Sequence, residues 1–237
     1  MKRYFLRVVK PENMGTEFWR TWQEFVEEIR AKHGYVNVSQ SVGNVLAAAR
    51  FILGKNALTG LKIIEVGFGS DTEEMHLHLL SRSYGADVLG IDIDPRAIEA
   101  AREEGYKAVE ADLEHLAEVL PTRYVPDMIV SSMMYERAPI MFGEESNAGG
   151  RLGQIIMGDL DAVPEAKVTP EEAVEILTRA FGSNYQALQR GNLEVHITSN
   201  PLEPGEEVLR KIGYNVITHN RYQENFLAAP HLTLLQK

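Results

Sequence analysis

The sequence predicts an α/β protein, a mostly parallel sheet of seven strands behind a helical N-terminal segment. Three observations carry this expectation. From Leu61 onward, short apolar runs alternate with segments of helical spacing, which is the pattern of βαβ units. The first run ends in Gly67-Phe68-Gly69, where a strand must turn tightly into a helix. The second run ends in Asp92, 25 residues after Gly67, which puts a carboxylate at the carboxyl edge of the neighbouring strand.

Taken in order, Phe18, Trp19, Trp22, Phe25, Val26 and Ile29 recur at helical spacing between Thr16 and Lys32, so this stretch forms an amphipathic helix that Gly34 ends. A polar stretch, Asn37 to Asn44, leads to a second helical segment over Val45 to Leu53, and residues 1–60 form a helical cap on the domain 61–237. Leu61 to Val66 is the first strand and Thr72 to Ser83 a helix. Asp87 to Ile91 is the second strand, and Asp94-Pro95 opens a helix through Glu104, with proline in the first turn where its missing N–H costs nothing. Lys107 to Glu110 and Asp127 to Ser131 are the third and fourth strands, separated by a helical segment Leu113 to Leu120. Met133 to Val168 contains Gly149-Gly150 and little periodicity, and is long for a simple connection, which marks it as functional or mobile. Pro170 to Gln189 is a helix, Leu193 to Ser199 the fifth strand, and Gly205 to Ile212 a helix. Tyr214 to Asn220 and His231 to Leu235 close the chain as an antiparallel pair.

Composition bounds the chemistry. At 237 residues, 44% hydrophobic and 24% charged, the chain is an ordinary globular protein rather than a disordered or collagenous one. It has no cysteine, which removes thiol nucleophiles, redox dithiols and Cys-ligated zinc. His76 and His78 lie two apart, do not share a helix face, and make no metal site. The net charge of -10 argues against broad contact with nucleic acid, which needs Lys and Arg against phosphates. Residues 1–60 hold 9 basic and 5 acidic side chains against 15 and 29 in the rest, so the acidity belongs to the main body. The apolar stretch after Lys2-Arg3 is broken by Arg7 and Lys10, too short for a signal segment or a membrane span, and the expected location is cytoplasmic.

Around the glycine turn the residue types select a ligand class. A dinucleotide fingerprint requires a third glycine at position 72, which is Thr. The following helix opens with Asp71, Glu73 and Glu74, carboxylates at the positive end of the helix that repel a pyrophosphate and suit a cationic, phosphate-free ligand. Capping of that helix by Ser70 or Asp71 is a purely structural use of the same residues, and the two uses are compatible.

With these residues in place, the chain resembles the class I (Rossmann-like) S-adenosylmethionine-dependent methyltransferases from Leu61 to Lys237. Glu65-Val66-Gly67-Phe68-Gly69 is similar to the family's first motif, Gly90-Ile91-Asp92-Ile93-Asp94-Pro95 to its second, Glu110-Ala111-Asp112-Leu113 to its third, and Pro126 to Ser132 to its fourth. The resemblance implies a doubly wound seven-stranded sheet whose antiparallel last strand inserts beside the fifth, with S-adenosyl-L-methionine as cofactor. It implies that Glu65, Gly67, Phe68 and Gly69 lie at the methionine end, that Asp92 with Ile93 holds the ribose, and that Asp112 and Leu113 meet the adenine. Ser131 and Ser132 then stand where the methyl group is delivered. The third glycine of the family's loop is Asp71 here, and the fourth strand is not followed by the Asn-Pro-Pro-Tyr or Asp-Pro-Pro-Tyr sequence of enzymes that methylate base or glutamine amino groups.

Absence of that signature, with the negative charge, points to a small-molecule acceptor. Methyl transfer from a sulfonium relies on positioning and desolvation, and needs a base only for a protonated acceptor. Tyr135 and Ser132 are the catalytic candidates, although Tyr135 also suits packing under the following loop. Trp19, Trp22 and Tyr35 can form an aromatic lid over a cation, or serve as core at helical spacing. Two other readings compete: use of the aminocarboxypropyl arm of the same cofactor, releasing methylthioadenosine, and a non-catalytic binding module. Glu194, His196 and Thr198 put a polar stripe on a strand expected to be buried on both sides, open to reading as an interface, a base near the site or a solvent-exposed face. The expected assembly is a monomer or homodimer.

Overall fold

The computed structural model describes residues 16–34, 37–69, 76–121, 124–132, 170–198, 205–219 and 231–237. The described residues open with two helices, α1 (Thr16–His33) and α2 (Asn37–Phe51). It continues through β1 (Lys62–Val66), a single turn α3 (His76–His78), β2 (Asp87–Asp92), α4 (Pro95–Glu103), β3 (Lys107–Glu110), α5 (Leu116–Val119) and β4 (Met128–Ser132). α6 (Pro170–Ala187), β5 (Leu193–Thr198), α7 (Gly205–Ile212), β6 (Asn215–His219) and β7 (His231–Gln236) complete it.

The seven strands form one sheet in the order β3-β2-β1-β4-β5-β7-β6, parallel except for β7, which runs antiparallel between β5 and β6. The chain moves outward from β1 to β3, then jumps back to β4 on the other side of β1. Right-handed crossovers in opposite directions place their helices on opposite faces. Accordingly α1, α2, α3 and α4 cover one face, with Ile63, Val88, Val130 and Val195 beneath them, while α5, α6 and α7 cover the other, over Ile64, Leu89, Ile129 and Leu235.

The N-terminal helices are part of the first layer. Phe18, Trp22, Val26 and Ile29 bury one stripe of α1 against α2, in the same apolar cluster as strand residues of β1, β4 and β5. Close approach of the two helices depends on Gly43, where an added Cβ would lie 2.8 Å from the Val26 side chain and 3.3 Å from Trp22. α2 starts at Asn37, eight residues before the expected Val45. Its first turns bury Ser41 and Asn44, polar side chains that hide the apolar stripe from a periodicity reading.

Other boundaries follow expectation within one or two residues. The helix expected over Thr72 to Ser83 is described from His76, where α3 passes into a wider turn over Leu79–Ser83 that Tyr84 N–H closes onto the Leu79 carbonyl at 3.1 Å. Leu113 to Leu120 divides into a tight 3-10 turn, Leu113–His115, and α5. Among the described residues no helix is long and apolar enough to cross a membrane.

Candidate functional site at the switch point of the sheet

The reversal of strand order between β1 and β4 opens a crevice at the carboxyl ends of the strands, the usual ligand position in an open α/β sheet. Register brings the expected residues to this edge. Val66 pairs with Ile91 on one side and Ser131 on the other, and Asp92 pairs with Glu110. The next residue out on β1, Gly67, therefore stands beside Asp92, and Asp112 follows two residues beyond Glu110, the register partner of Asp92.

The glycine turn is held on that edge by a carboxylate. Gly67 and Gly69 have φ of 68° and 73°, the left-handed region where a Cβ would be strained. Asp92 Oδ2 accepts the Gly69 N–H at 2.9 Å and Oδ1 accepts the Asp94 N–H at 2.9 Å. Between them, Phe68 lays its ring across β2 at Gly90, where an added Cβ would come within 2.6 Å of the ring. Two side chains and one missing side chain thus lock the turn: the Asp92 carboxylate, the Phe68 ring and the bare Cα of Gly90. Gly90 as the seat of Phe68 is a requirement that spacing alone did not reveal.

Asp92 is buried, at 6% exposure, and burial pushes its carboxyl above the usual carboxylate range, against the backbone N–H groups that favour the anion. Its oxygens accept these backbone N–H groups and keep further acceptor capacity. Asp94 has a different task. It caps α4 by accepting the Arg96 N–H at 3.0 Å, and the Arg96 guanidinium beside it holds its carboxyl below the usual range. Asp112 caps the Leu113–His115 turn by accepting the Glu114 N–H at 3.0 Å, Leu113 is buried beneath it, and Ile93 is half-buried. Glu65 is buried within β1.

Ser131 is 1% exposed and faces the α6 layer, where a polar network receives it. Its Oγ lies 2.6 Å from His196 Nδ1, and His196 Nε2 lies 2.8 Å from Glu194 Oε1. Glu194 also accepts Asn184 Nδ2 from α6 and, at 2.6 Å, the hydroxyl of Tyr214, just before β6. The Phe181 ring packs edge-on against His196 with centroids 5.0 Å apart. Of the three readings of the stripe, the solvent-exposed face is overturned: Glu194 is 0% exposed, and the stripe points under α6. The period-two pattern in β5 signalled half of this network. Asn184 and Tyr214 carried no signal, because a polar residue on a helix and a tyrosine before a strand are individually unremarkable.

The expected aromatic lid separates into unlike parts. Trp22 is buried between α1 and α2, which is the core use of the residue, and Trp19 is half-buried with its ring edge-on to those of Phe18 and Trp22. Tyr35 lies outside the described residues, as do Asp71, Glu73, Glu74, Tyr135 and the segment 133–168. Ser132 is described as the last residue of β4. No group of three His, Asp or Glu among the described residues could hold a metal ion.

No family model matches the chain, and no curated protein is similar to it in sequence. Solved structures resemble it in three dimensions. MtNAS, in complex with MTA and tNA, is 14% identical with a TM-score of 0.50, over 96% of this chain and 72% of its own. A TehB-like SAM-dependent methyltransferase from Corynebacterium glutamicum is 20% identical with a TM-score of 0.49, over 96% and 97% of the two chains. Human N-acetylserotonin methyltransferase in complex with SAM is 13% identical with a TM-score of 0.43, over 97% and 60%. At these identities the likeness is one of fold. Together with the strand order 3-2-1-4-5-7-6, the likeness to MtNAS shows a Rossmann-like fold.

Proposed function

We propose that this protein is an S-adenosyl-L-methionine-dependent methyltransferase acting on a small-molecule acceptor. The observation that carries the reading is the buried Asp92 carboxylate at the switch point, clamped to the Gly69 N–H with acceptor capacity left over. A ribose offers two adjacent hydroxyl donors to such a group. Asp112 and Leu113, beyond the end of β3, are assigned to the amino group and ring of an adenine, and Gly67, Phe68 and Gly69 to the methionine arm. The acidic character of this edge, with Glu65, Asp92 and Asp112, fits a sulfonium and disfavours a pyrophosphate.

When bound, the cofactor supplies an electrophilic methyl group. The chain's own residues then supply position. Asp92, with Ile93 beside it, fixes the ribose, and the turn Gly67 to Gly69 keeps the methionine arm in line with the end of β4, where Ser131 and Ser132 lie. An in-line displacement gains most of its rate from this pre-set alignment and from excluding water. Tyr135 and the segment 133–168 follow directly and are assigned to the acceptor side. Trp19 and Tyr35 are retained as the aromatic contacts on the cap side, whereas Trp22 serves the core.

Net charge of -10 favours a small acceptor over a nucleic acid. Incubation of the protein with methyl-labelled S-adenosylmethionine and a protein-free small-molecule extract tests the reading: S-adenosylhomocysteine and a labelled small product are expected. Release of methylthioadenosine would replace methyl transfer by use of the aminocarboxypropyl arm. Failure of wild type to bind the cofactor in calorimetry would leave a binding module of the same fold.

A further inference from the structure

Outside the glycine turn, the buried network of Glu194, His196 and Ser131 comes nearest the carboxyl edge of the sheet at Ser131, the register partner of Val66. We propose that Ser131, His196 and Glu194 form a proton relay that takes the proton released by the methyl acceptor, so that the acceptor is a hydroxyl or amine that loses a proton on methylation. This inference rests on the methyltransferase reading.

The geometry sets the direction of the relay. Glu194 accepts from three side chains, Asn184, Tyr214 and His196. A carboxylate so placed makes the His196 Nε2 the donor and leaves Nδ1 to accept. At 2.6 Å from Nδ1, the Ser131 hydroxyl is then the donor. This is the order of a buried carboxylate, an oriented imidazole and a hydroxyl that passes on a proton. Ser131 pairs with Val66, one residue before the Gly67 turn, so the hydroxyl end of the relay lies at the level where the crevice begins. A chain built only for packing would place apolar residues here, as its neighbours Ile129, Val195 and Ile197 do.

The step balances. The acceptor's lone pair forms the new bond to the methyl carbon, and the carbon–sulfur pair stays with sulfur. The acceptor's proton passes to Ser131 Oγ as the Ser131 proton moves to His196 Nδ1, and the imidazolium formed is held against Glu194. Ser131 meets the acceptor, while His196 and Glu194 act through it as positioning residues. Among the described residues, Ser131 from β4, Glu194 on its own strand and Phe181 from α6 lie against His196, Thr233 of β7 is its register partner, and Asn184 and Tyr214 reach it by way of Glu194. Glu194 and Tyr214 are the titratable members of that set.

Nitrogen-15 resonances of histidine in the wild-type protein read the relay without any acceptor. The ring proton of His196 is expected on Nε2, facing Glu194, with Nδ1 left to accept from Ser131. A proton on Nδ1 instead of Nε2 would overturn the relay. With S-adenosylmethionine and a phenol or a primary amine as probe acceptors, Ser131→Ala and His196→Gln should lower kcat about a hundredfold with KM for the cofactor unchanged, and remove the acid limb of the pH profile. An unaltered pH profile, or losses confined to KM, would assign the network to packing and overturn the proposal. Calorimetry on wild type separates the two readings. A protein that binds no S-adenosylmethionine loses the methyltransferase assignment, while the histidine tautomer still decides whether the relay is oriented from Ser131 to Glu194.

Discussion

Asp92 and Glu194 are both buried carboxylates at the heart of one sheet, and they are satisfied in opposite ways. Asp92, at the end of β2, accepts backbone N–H groups from the Gly69 turn and from Asp94 and faces the crevice. Glu194, in the middle run of β5, accepts side chains from three other elements or positions and faces α6. The first is held by local chain geometry and keeps capacity for a ligand. The second is held by tertiary neighbours and completes a network. The two sides of the switch point thus use buried charge differently, one through backbone N–H groups and the other through a side-chain network.

The largest expected effect breaks the second side. Glu194→Ala leaves the Asn184, Tyr214 and His196 donors facing a void, and should lower stability by about 3–5 kcal/mol in denaturant titration. Glu194→Gln, which retains the shape, should cost markedly less. Asp92→Ala breaks the first side: the loss of charge-assisted bonds to ribose should weaken S-adenosylmethionine binding about a hundredfold in calorimetry, while the fold survives. A variant that instead unfolds would show that Asp92 serves structure rather than recognition.

Smaller effects sharpen the contrast. Gly90→Ala forces the Phe68 ring off β2 and should cost about 1–3 kcal/mol, with weaker cofactor binding because the turn moves with the ring. Asp94→Ala removes the cap of α4 and should cost about 1 kcal/mol; its exposed Arg96 partner adds little. The pH response is the mildest. Burial raises the Asp92 carboxyl, so its protonated form favours the fold, and that contribution is present at acid pH and is lost as pH rises through the raised value. Ribose hydroxyls favour the anion, so cofactor affinity should rise over the same interval and level off near neutrality, measured by calorimetry across pH. An affinity that falls as pH rises would mean that the protonated carboxyl is the binding form.

Much of this was legible in the residues. The alternation after Leu61, the Gly67-Phe68-Gly69 turn and the Asp92 spacing are local signals, because a strand end, a left-handed turn and an N-cap each depend on a few consecutive residues. The start of α2 was not legible, since Ser41 and Asn44 are buried by α1 and the sheet rather than by any pattern of their own. The lid reading of Trp22 failed for a related reason: helical spacing says that a face is buried, and only the Gly43 notch says against what.

By itself, the sequence determined the element order, the parallel sheet with its closing antiparallel pair, and the set of residues that line the carboxyl edge, because these follow from periodicity and turn chemistry within short windows. Tertiary structure alone decided what faces those residues. Which side of β5 carries Glu194 and His196 is written in a period of two, but that Asn184, Tyr214 and Ser131 meet them requires α6, the chain before β6 and β4 to converge. Such contacts join positions 10 to 65 residues apart, and they are set by the packing of whole layers rather than by any local preference.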